Sequence, residues 1–211
     1  PFHRLSEQTI LETIDRLGSV QGPEQKRALA RIAAGRLDRL ERLLEPAASA
    51  RRARLLEIAR SIYADPGFQP SEAVRSLLEA VDERGAEARS KGERDLEGAD
   101  LPKRELDQRL RRIERGAERE ELLAMLEELA AWYRDLIAVA VGAGDVLIHS
   151  DRSDQLRSDG TRERLAAAED AVDLVRESYR YMQELNLNPA LALEALLVRL
   201  HALFAGVEAL V

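Results

Sequence analysis

Apolar residues recur along this chain at intervals of three and four, the period of helices buried on one face. Ile10, Leu11, Ile14 and Leu17 make the first such face, with Ser6 placed to cap the helix and Gly18 to end it. Gly22-Pro23 opens a second helix through Ala28, Leu29, Ile32 and Ala33, closed at Gly35. A third carries Leu37, Leu40, Leu43 and Leu44 and stops before Pro46. These three short helices predict a small module over residues 1–45, with a larger helical domain over 46–211.

The larger part opens on a longer helix from Pro46, with Leu55, Leu56, Ile58, Ala59, Ile62 and Tyr63 as its apolar positions. Asp65-Pro66-Gly67-Phe68-Gln69-Pro70 breaks it, and Ser71 is the expected cap of the next, whose face is Val74, Leu77, Leu78 and Val81. From Glu83 to Glu121 acidic and basic residues are dense and nearly balanced. Gly92, Gly98 and Pro102 predict a break there. Leu106, Leu110, Ile113 and Ala117 then recur at heptad-like spacing, continuing through Leu122, Leu126, Leu129 and Tyr133. The preferred reading is one long, solvated helix laced by salt bridges; the alternative is a coiled-coil arm for a partner.

Gly142-Ala143-Gly144 ends that helix, Val146 to His149 forms an extended link, and Asp151 to Arg157 a helical turn. Thr161 is placed to cap a helix with the face Leu165, Ala168, Val172, Val175, Tyr179 and Met182. The last helix follows Asn186-Leu187-Asn188-Pro189, with Asn188 as cap and Pro189 at its first position. Leu193, Leu196, Leu197, Leu200, Leu203 and Phe204 make it apolar on most faces, so it is expected to be buried among helices or against a partner. The expected fold is all-α, a bundle whose long helices run antiparallel.

Composition agrees: aromatics are 4% of the 211 residues and charged residues 34%, with Gly and Pro sparse. The net charge of −7 argues against a surface that binds nucleic acid along its whole extent. With no cysteine, thiolate catalysis, thiolate metal sites and disulfides are excluded. No membrane-spanning run occurs, and the last helix is too short and too often charged to be one. The chain begins at Pro1, which suggests a piece of a longer protein, and 29 Arg to 3 Lys reads as a codon habit.

Chemistry is sparse. There is no phosphate-binding glycine loop of either common kind. His3, His149 and His201 are far apart, and none has a partner at metal-binding helix spacing; His201 reads as a packed or rim residue. Glu118 to Glu121 and Glu127-Glu128 read as solvated faces, as do the basic stripes Arg51, Arg52, Arg54 and Arg109, Arg111, Arg112, Arg115. Trp132 and Tyr133 point to different faces. One is expected inside and the other at a contact surface, unless both are core aromatics. No catalytic residue, cofactor or metal is expected.

Several segments together resemble one family. The closing Asn188-Pro189-Ala190-Leu191-Ala192-Leu193-Glu194-Ala195-Leu196-Leu197 is similar to the C-terminus of the delta-prime subunits of the bacterial DNA polymerase III clamp loader. Trp132-Tyr133-Arg134-Asp135-Leu136 with Val139-Ala140-Val141-Gly142, and the charged helix before it, resemble the same subunits. Phe2-His3-Arg4-Leu5-Ser6-Glu7 with Ile10-Leu11 resembles the passage from an AAA+ nucleotide-binding domain into its helical lid. Ala33-Ala34-Gly35-Arg36-Leu37-Asp38-Arg39-Leu40 stands at the lid signature Gly-Ser-x-Gly-Arg-Ala-Leu, of which only Gly35 and Arg39 match.

The resemblance implies a three-helix lid followed by the collar that joins clamp-loader subunits in a ring, in a cytoplasmic replication assembly. It implies partners in the gamma/tau and delta subunits, contact with DNA only indirectly, and no membrane, metal or cofactor. Arg39 holds a degenerate nucleotide-sensing position. Trp132, Tyr133, Tyr179, Leu193, Leu197, Leu200 and Phe204 are the candidate subunit interface. The alternative is a free-standing helical scaffold that pairs through the charged helix.

Overall fold

A computed structural model describes residues 4–18, 22–98, 102–185 and 187–206; Phe2, His3 and Asn186 lie outside them. The fold is all-α: the described residues form nine α-helices and three short 3₁₀ turns, with no strand among them.

The first three helices are α1 (Glu7–Leu17), α2 (Pro23–Ala33) and α3 (Leu37–Leu43). Ser6 Oγ accepts from the Thr9 N–H at 3.1 Å, and Gly18 closes α1 in the left-handed conformation. Ile10, Ile14, Leu29, Ile32, Leu40 and Leu43 share one apolar core. At the α2–α3 corner Ala34 takes φ +50° and Gly35 φ +79°. The Gly35 carbonyl accepts from the Leu5 N–H at 2.9 Å, and a Cβ on Gly35 would lie 2.4 Å from the Leu5 oxygen. Only glycine lets the two backbones approach so closely.

Six helices make the larger bundle: α4 (Ala48–Ala64), α5 (Pro70–Asp95), α6 (Lys103–Ala140), α7 (Ser153–Asp159), α8 (Leu165–Glu184) and α9 (Pro189–Ala205). Helix α4 starts two residues after Pro46. Pro70 sits in the first turn of α5 with Gln69 at the cap position, so Ser71 lies inside the helix rather than capping it. At α9 the cap is as expected: Asn188 Oδ1 accepts from the N–H groups of Ala190 at 3.0 Å and Leu191 at 3.3 Å. A second, larger core gathers Leu55, Ile62, Leu77, Leu126, Trp132, Leu136, Val175 and Leu197, among others. Trp132 Nε1–H donates to Tyr63 Oη at 3.2 Å, which satisfies the one polar atom of the buried indole.

The charged stretch is not a lone helix. At about 1.5 Å per residue α6 is roughly 57 Å long. Its second half lies in the bundle, where α8 runs antiparallel to it: Gly160, just before α8, packs on Val139 near one end, and Arg119 donates to the Gln183 carbonyl at 2.7 Å near the other. Its first half, beyond the end of α8, pairs with the second half of α5 as an antiparallel hairpin arm. Gly92 is buried inside α5 and does not break it; Leu110 and Ile113 of α6 pack on it. The heptad-like residues Leu110 and Ala117 are buried in this internal seam. The coiled-coil pattern in the sequence is therefore satisfied within one chain.

Candidate interaction surfaces and the charged seam

Between the two apolar cores runs a seam of arginines and carboxylates. On the module side, Arg39 donates to the Ile32 carbonyl at 3.1 Å and pairs with Glu127 of α6. Burial, together with Arg42 and Arg36 nearby, pulls its pKa below the ordinary guanidinium value. Arg42 pairs with Glu121 at 2.8 Å. On α4, Arg51 reaches Glu87 at 2.8 Å and Glu45 at 3.2 Å. Arg52 meets Glu128 at 2.7 Å and grips Asp151 with two bonds of 2.6 and 3.0 Å. Arg84 of α5 joins Glu45 at 3.0 Å.

These contacts correct the sequence reading of the same residues. Arg51 is 2% exposed and Glu121 4%, so neither belongs to a solvated face. Glu128 is buried as well. A run of charges on a helix is usually solvated, but here Arg51, Arg52, Glu121 and Glu128 find partners on other elements of the fold, which no spacing along the chain displays. Arg39 is likewise committed: one end of its fork is held by the Ile32 carbonyl within the module and the other ties the module to Glu127 of the bundle.

The link after α6 is pinned by Asp135. Its carboxylate accepts from the backbone N–H of Ile148 at 3.0 Å and of His149 at 2.8 Å, and from His149 Nδ1 at 2.9 Å. His149 Nε2 faces Glu128 Oε1 at 3.6 Å, and the ring meets Trp132 edge-on. Burial works against a charged imidazole, but Asp135 and Glu128 overcome it and raise the pKa of His149. Burial also opposes ionisation of Asp135 and Glu128, but bonds and charge from His149 hold both below the usual carboxylate range, helped at Glu128 by Arg52. From this link Ser150 Oγ–H donates to the Glu24 carbonyl at 3.0 Å, and Arg31 of α2 donates to the Leu147 carbonyl. The link thus ties α2 to the bundle.

A buried His between two carboxylates has acid–base geometry. It has no room for a substrate: His149 is fully buried, and the hollow beside Arg52 and Glu128 is about 10 Å³, barely one water. Among the described residues no cluster of three or more His, Asp or Glu is arranged to hold a metal ion. No described helix is long and apolar enough to cross a membrane.

The candidate interface residues divide. Trp132, Tyr133, Leu193, Leu197 and Leu200 are buried in this chain's own core and present no surface. Tyr133 completes its bonding internally, on the Ala59 carbonyl at 3.4 Å. Tyr179 and Phe204 are half-buried. Tyr179 lines a cleft at the seam with Arg36, Arg39 and Glu127, and Phe204 packs on Tyr63 and Tyr133 at 5.2 and 5.4 Å between ring centroids. His201 Nδ1–H donates to the Ile62 carbonyl at 2.8 Å, as a rim histidine would.

Other residues of α9 are the exposed ones. Leu191 is 66% exposed and Val198 49%, with Ala195 exposed between them and Leu187 before them. The spacing of four and three puts Leu191, Ala195 and Val198 on one stripe of α9. Beside it, Asp170, Asp173 and Glu177 of α8 line a groove with Arg199 and Leu203. The sequence reading missed this stripe because α9 is apolar on most faces, and periodicity cannot say which apolar face is inward. Comparison with known protein families, curated proteins and solved structures finds no match.

Proposed function

We propose that this chain is a structural part of a clamp-loader subunit, of the delta-prime kind, that acts by assembly rather than by catalysis. The observation that carries the reading is the ordered set of sequence segments that resemble those subunits, from the passage at Leu5 to the closing Asn188-Pro189 helix. A three-helix module on a helical bundle is the kind of architecture that resemblance implies.

On this reading α1 to α3 are the lid and α4 to α9 the collar. The collar would dock a helix of a neighbouring gamma/tau or delta collar on the α9 stripe of Leu191, Ala195 and Val198. An apolar stripe with a charged border is what such helix packing needs. Arg39, tied to Glu127 and the Ile32 carbonyl, would transmit lid position to the collar rather than sense a nucleotide. The assembly would work in the cytoplasm, where replication proceeds.

The test is capture of this chain by the collar regions of gamma/tau and delta from the same organism, read by mass. Stable capture, lost on Val198→Glu with Leu191→Glu, is the expected result. A folded chain that captures neither region overturns the reading.

A further inference from the structure

The hairpin arm carries a feature that assembly through α9 does not use. At about 100° per residue, Arg104, Gln108, Arg111, Arg112 and Arg115 of α6 fall within roughly 100° of arc. Leu106, Leu110, Ile113 and Ala117, which face α5, are centred half a turn away. All five polar residues are exposed. No carboxylate of α6 falls inside the arc. At its edge Asp107 pairs with Arg111 at 3.0 Å and with Arg89 of α5 at 3.4 Å. Glu114 is likewise turned toward α5 and held by Arg89 at 3.1 Å. Among the described residues no ion pair engages Arg104, Arg112 or Arg115. The packing of the arm thus draws Asp107 and Glu114 toward α5; Glu105, exposed about 20° beyond Arg112, borders the arc on its other side, and the arc itself holds only arginines and Gln108.

The chemistry of that face selects a partner. It has no exposed apolar side chain, so it lacks the desolvated centre on which protein–protein interfaces depend. The described residues 82–98 and 102–120 contain no aromatic, so it has no platform on which unpaired bases could stack. What it offers is a row of planar, bidentate cations along about 16 Å of helix axis, roughly five base-pair steps of a duplex. The exposed acids of α5, Glu83, Glu87, Glu93 and Asp95, lie on the other helix of the arm and would repel a polyanion approaching from that side. We propose that the outer face of α6 from Arg104 to Arg115 binds the phosphate backbone of duplex nucleic acid without reading its sequence.

This goes beyond the assembly reading, in which DNA is reached only through other subunits, and it stands or falls separately from it. The experiment is fluorescence anisotropy of a labelled duplex of about 20 base pairs, titrated with the whole chain between 50 and 200 mM salt. With four arginines engaged, the slope of log K against log salt should be about −3.6. Arg104→Glu, Arg112→Glu and Arg115→Glu together should cut affinity at least about tenfold at the lower salt, since each neutralised phosphate contact lifts with its charge. The same three positions changed to Gln should fall between, and the melting curve of either variant should match the parent's, because none of the three is paired or buried. No binding at low salt, binding unchanged by the triple reversal, equal binding to an unpaired strand, or equal displacement by polyglutamate at the same charge overturns the inference. Collar capture by α9 is unaffected by these substitutions, so a parent chain that is captured but binds no duplex, or a triple variant that still binds it, sinks this inference alone.

Discussion

Asp135 Oδ2 binds His149 twice, accepting from its backbone N–H at 2.8 Å and from its ring Nδ1 at 2.9 Å. The carboxylate thereby fixes both the path of the chain and the orientation of the ring. The opposite ring nitrogen is left facing Glu128. One residue of the link is held by two carboxylates of α6 seven residues apart, and through Ser150 and Arg31 the same link holds α2.

Stability should therefore depend on pH in a defined direction. His149 has a folded pKa above its ordinary value, so its contribution is complete below about pH 6.5 and is lost as pH rises through the folded value. Asp135 and Glu128 have folded values below the ordinary ones, so their contributions are complete above about pH 4.5 and lost as pH falls through the folded values. Thermal melts should show the highest Tm between about pH 4.5 and 6.5, with a decline on the alkaline side. In His149→Gln that alkaline decline should flatten. A parent Tm that climbs steadily from mild acid to alkali would contradict the assignment.

Among the described residues Arg52 is the only guanidinium that joins α4 to both Glu128 and Asp151. Its Coulombic partners outweigh the burial that would otherwise lower its pKa, and the net effect raises it. Arg52→Ala leaves Glu128 buried with one cationic partner fewer and Asp151 with none of its present bonds. A loss of about 3 kcal/mol in urea unfolding is expected. Arg52→Lys should recover only part of it, because an ammonium cannot hold Asp151 by two bonds and reach Glu128 as well. Full recovery by Lys would show that charge alone matters there.

The helices were legible because period, caps and prolines are local signals. Asn188 and Pro189 mark α9 in the sequence as they do in the structure, and Ser6 and Gly18 bound α1. The hairpin arm was half legible. Leu106, Leu110, Ile113 and Ala117 declared a seam, but a heptad pattern does not name its partner, and the partner proved to be α5 of the same chain. The buried charges were not legible at all. Arg51 and Glu121 are separated by 70 positions, and His149 meets Asp135 across a turn; nothing in the spacing of charged residues distinguishes a pair closed in space from a solvated run. Gly92 misled for a related reason: a glycine in a helix reads as a break until the side chain that occupies its place is seen.

Two glycines should respond oppositely to alanine. At Gly160 a Cβ would lie 2.7 Å from Val139 Cβ and 3.0 Å from the Leu136 carbonyl oxygen, a branched side chain and a backbone atom that cannot step aside. Gly160→Ala should cost about 1–3 kcal/mol by overpacking the junction of α6 and α8. At Gly85 a Cβ would meet Glu118 at 2.7 Å, but that carboxylate is the far end of a flexible, part-exposed chain. There the gain in helix propensity, about 1 kcal/mol, should leave Gly85→Ala neutral or more stable. Chemical denaturation of the two variants decides the matter. Equal losses at both sites would mean that the Glu118 side chain is as fixed as Val139.

The seam itself predicts how the module comes away. The cores of α1–α3 and of the bundle are separate clusters, so the charged contacts and the link carry much of their union. Arg39 and Arg42 are the two module arginines that reach α6, at Glu127 and Glu121. Removing both as Arg39→Ala with Arg42→Ala strips two ties and leaves each carboxylate less compensated, yet touches neither apolar core. Local opening should then become easier for the module than for the bundle. Hydrogen exchange should quicken at amides of α1 to α3 while α6 and α8 within the bundle keep their protection. Raising salt should not reproduce the effect, since Glu121 is buried and its pairing is poorly screened. Uniform acceleration in module and bundle alike would show instead that the two cores open as one unit, and that the seam is stiff through the Ser150 and Arg31 ties rather than through the arginines of α3.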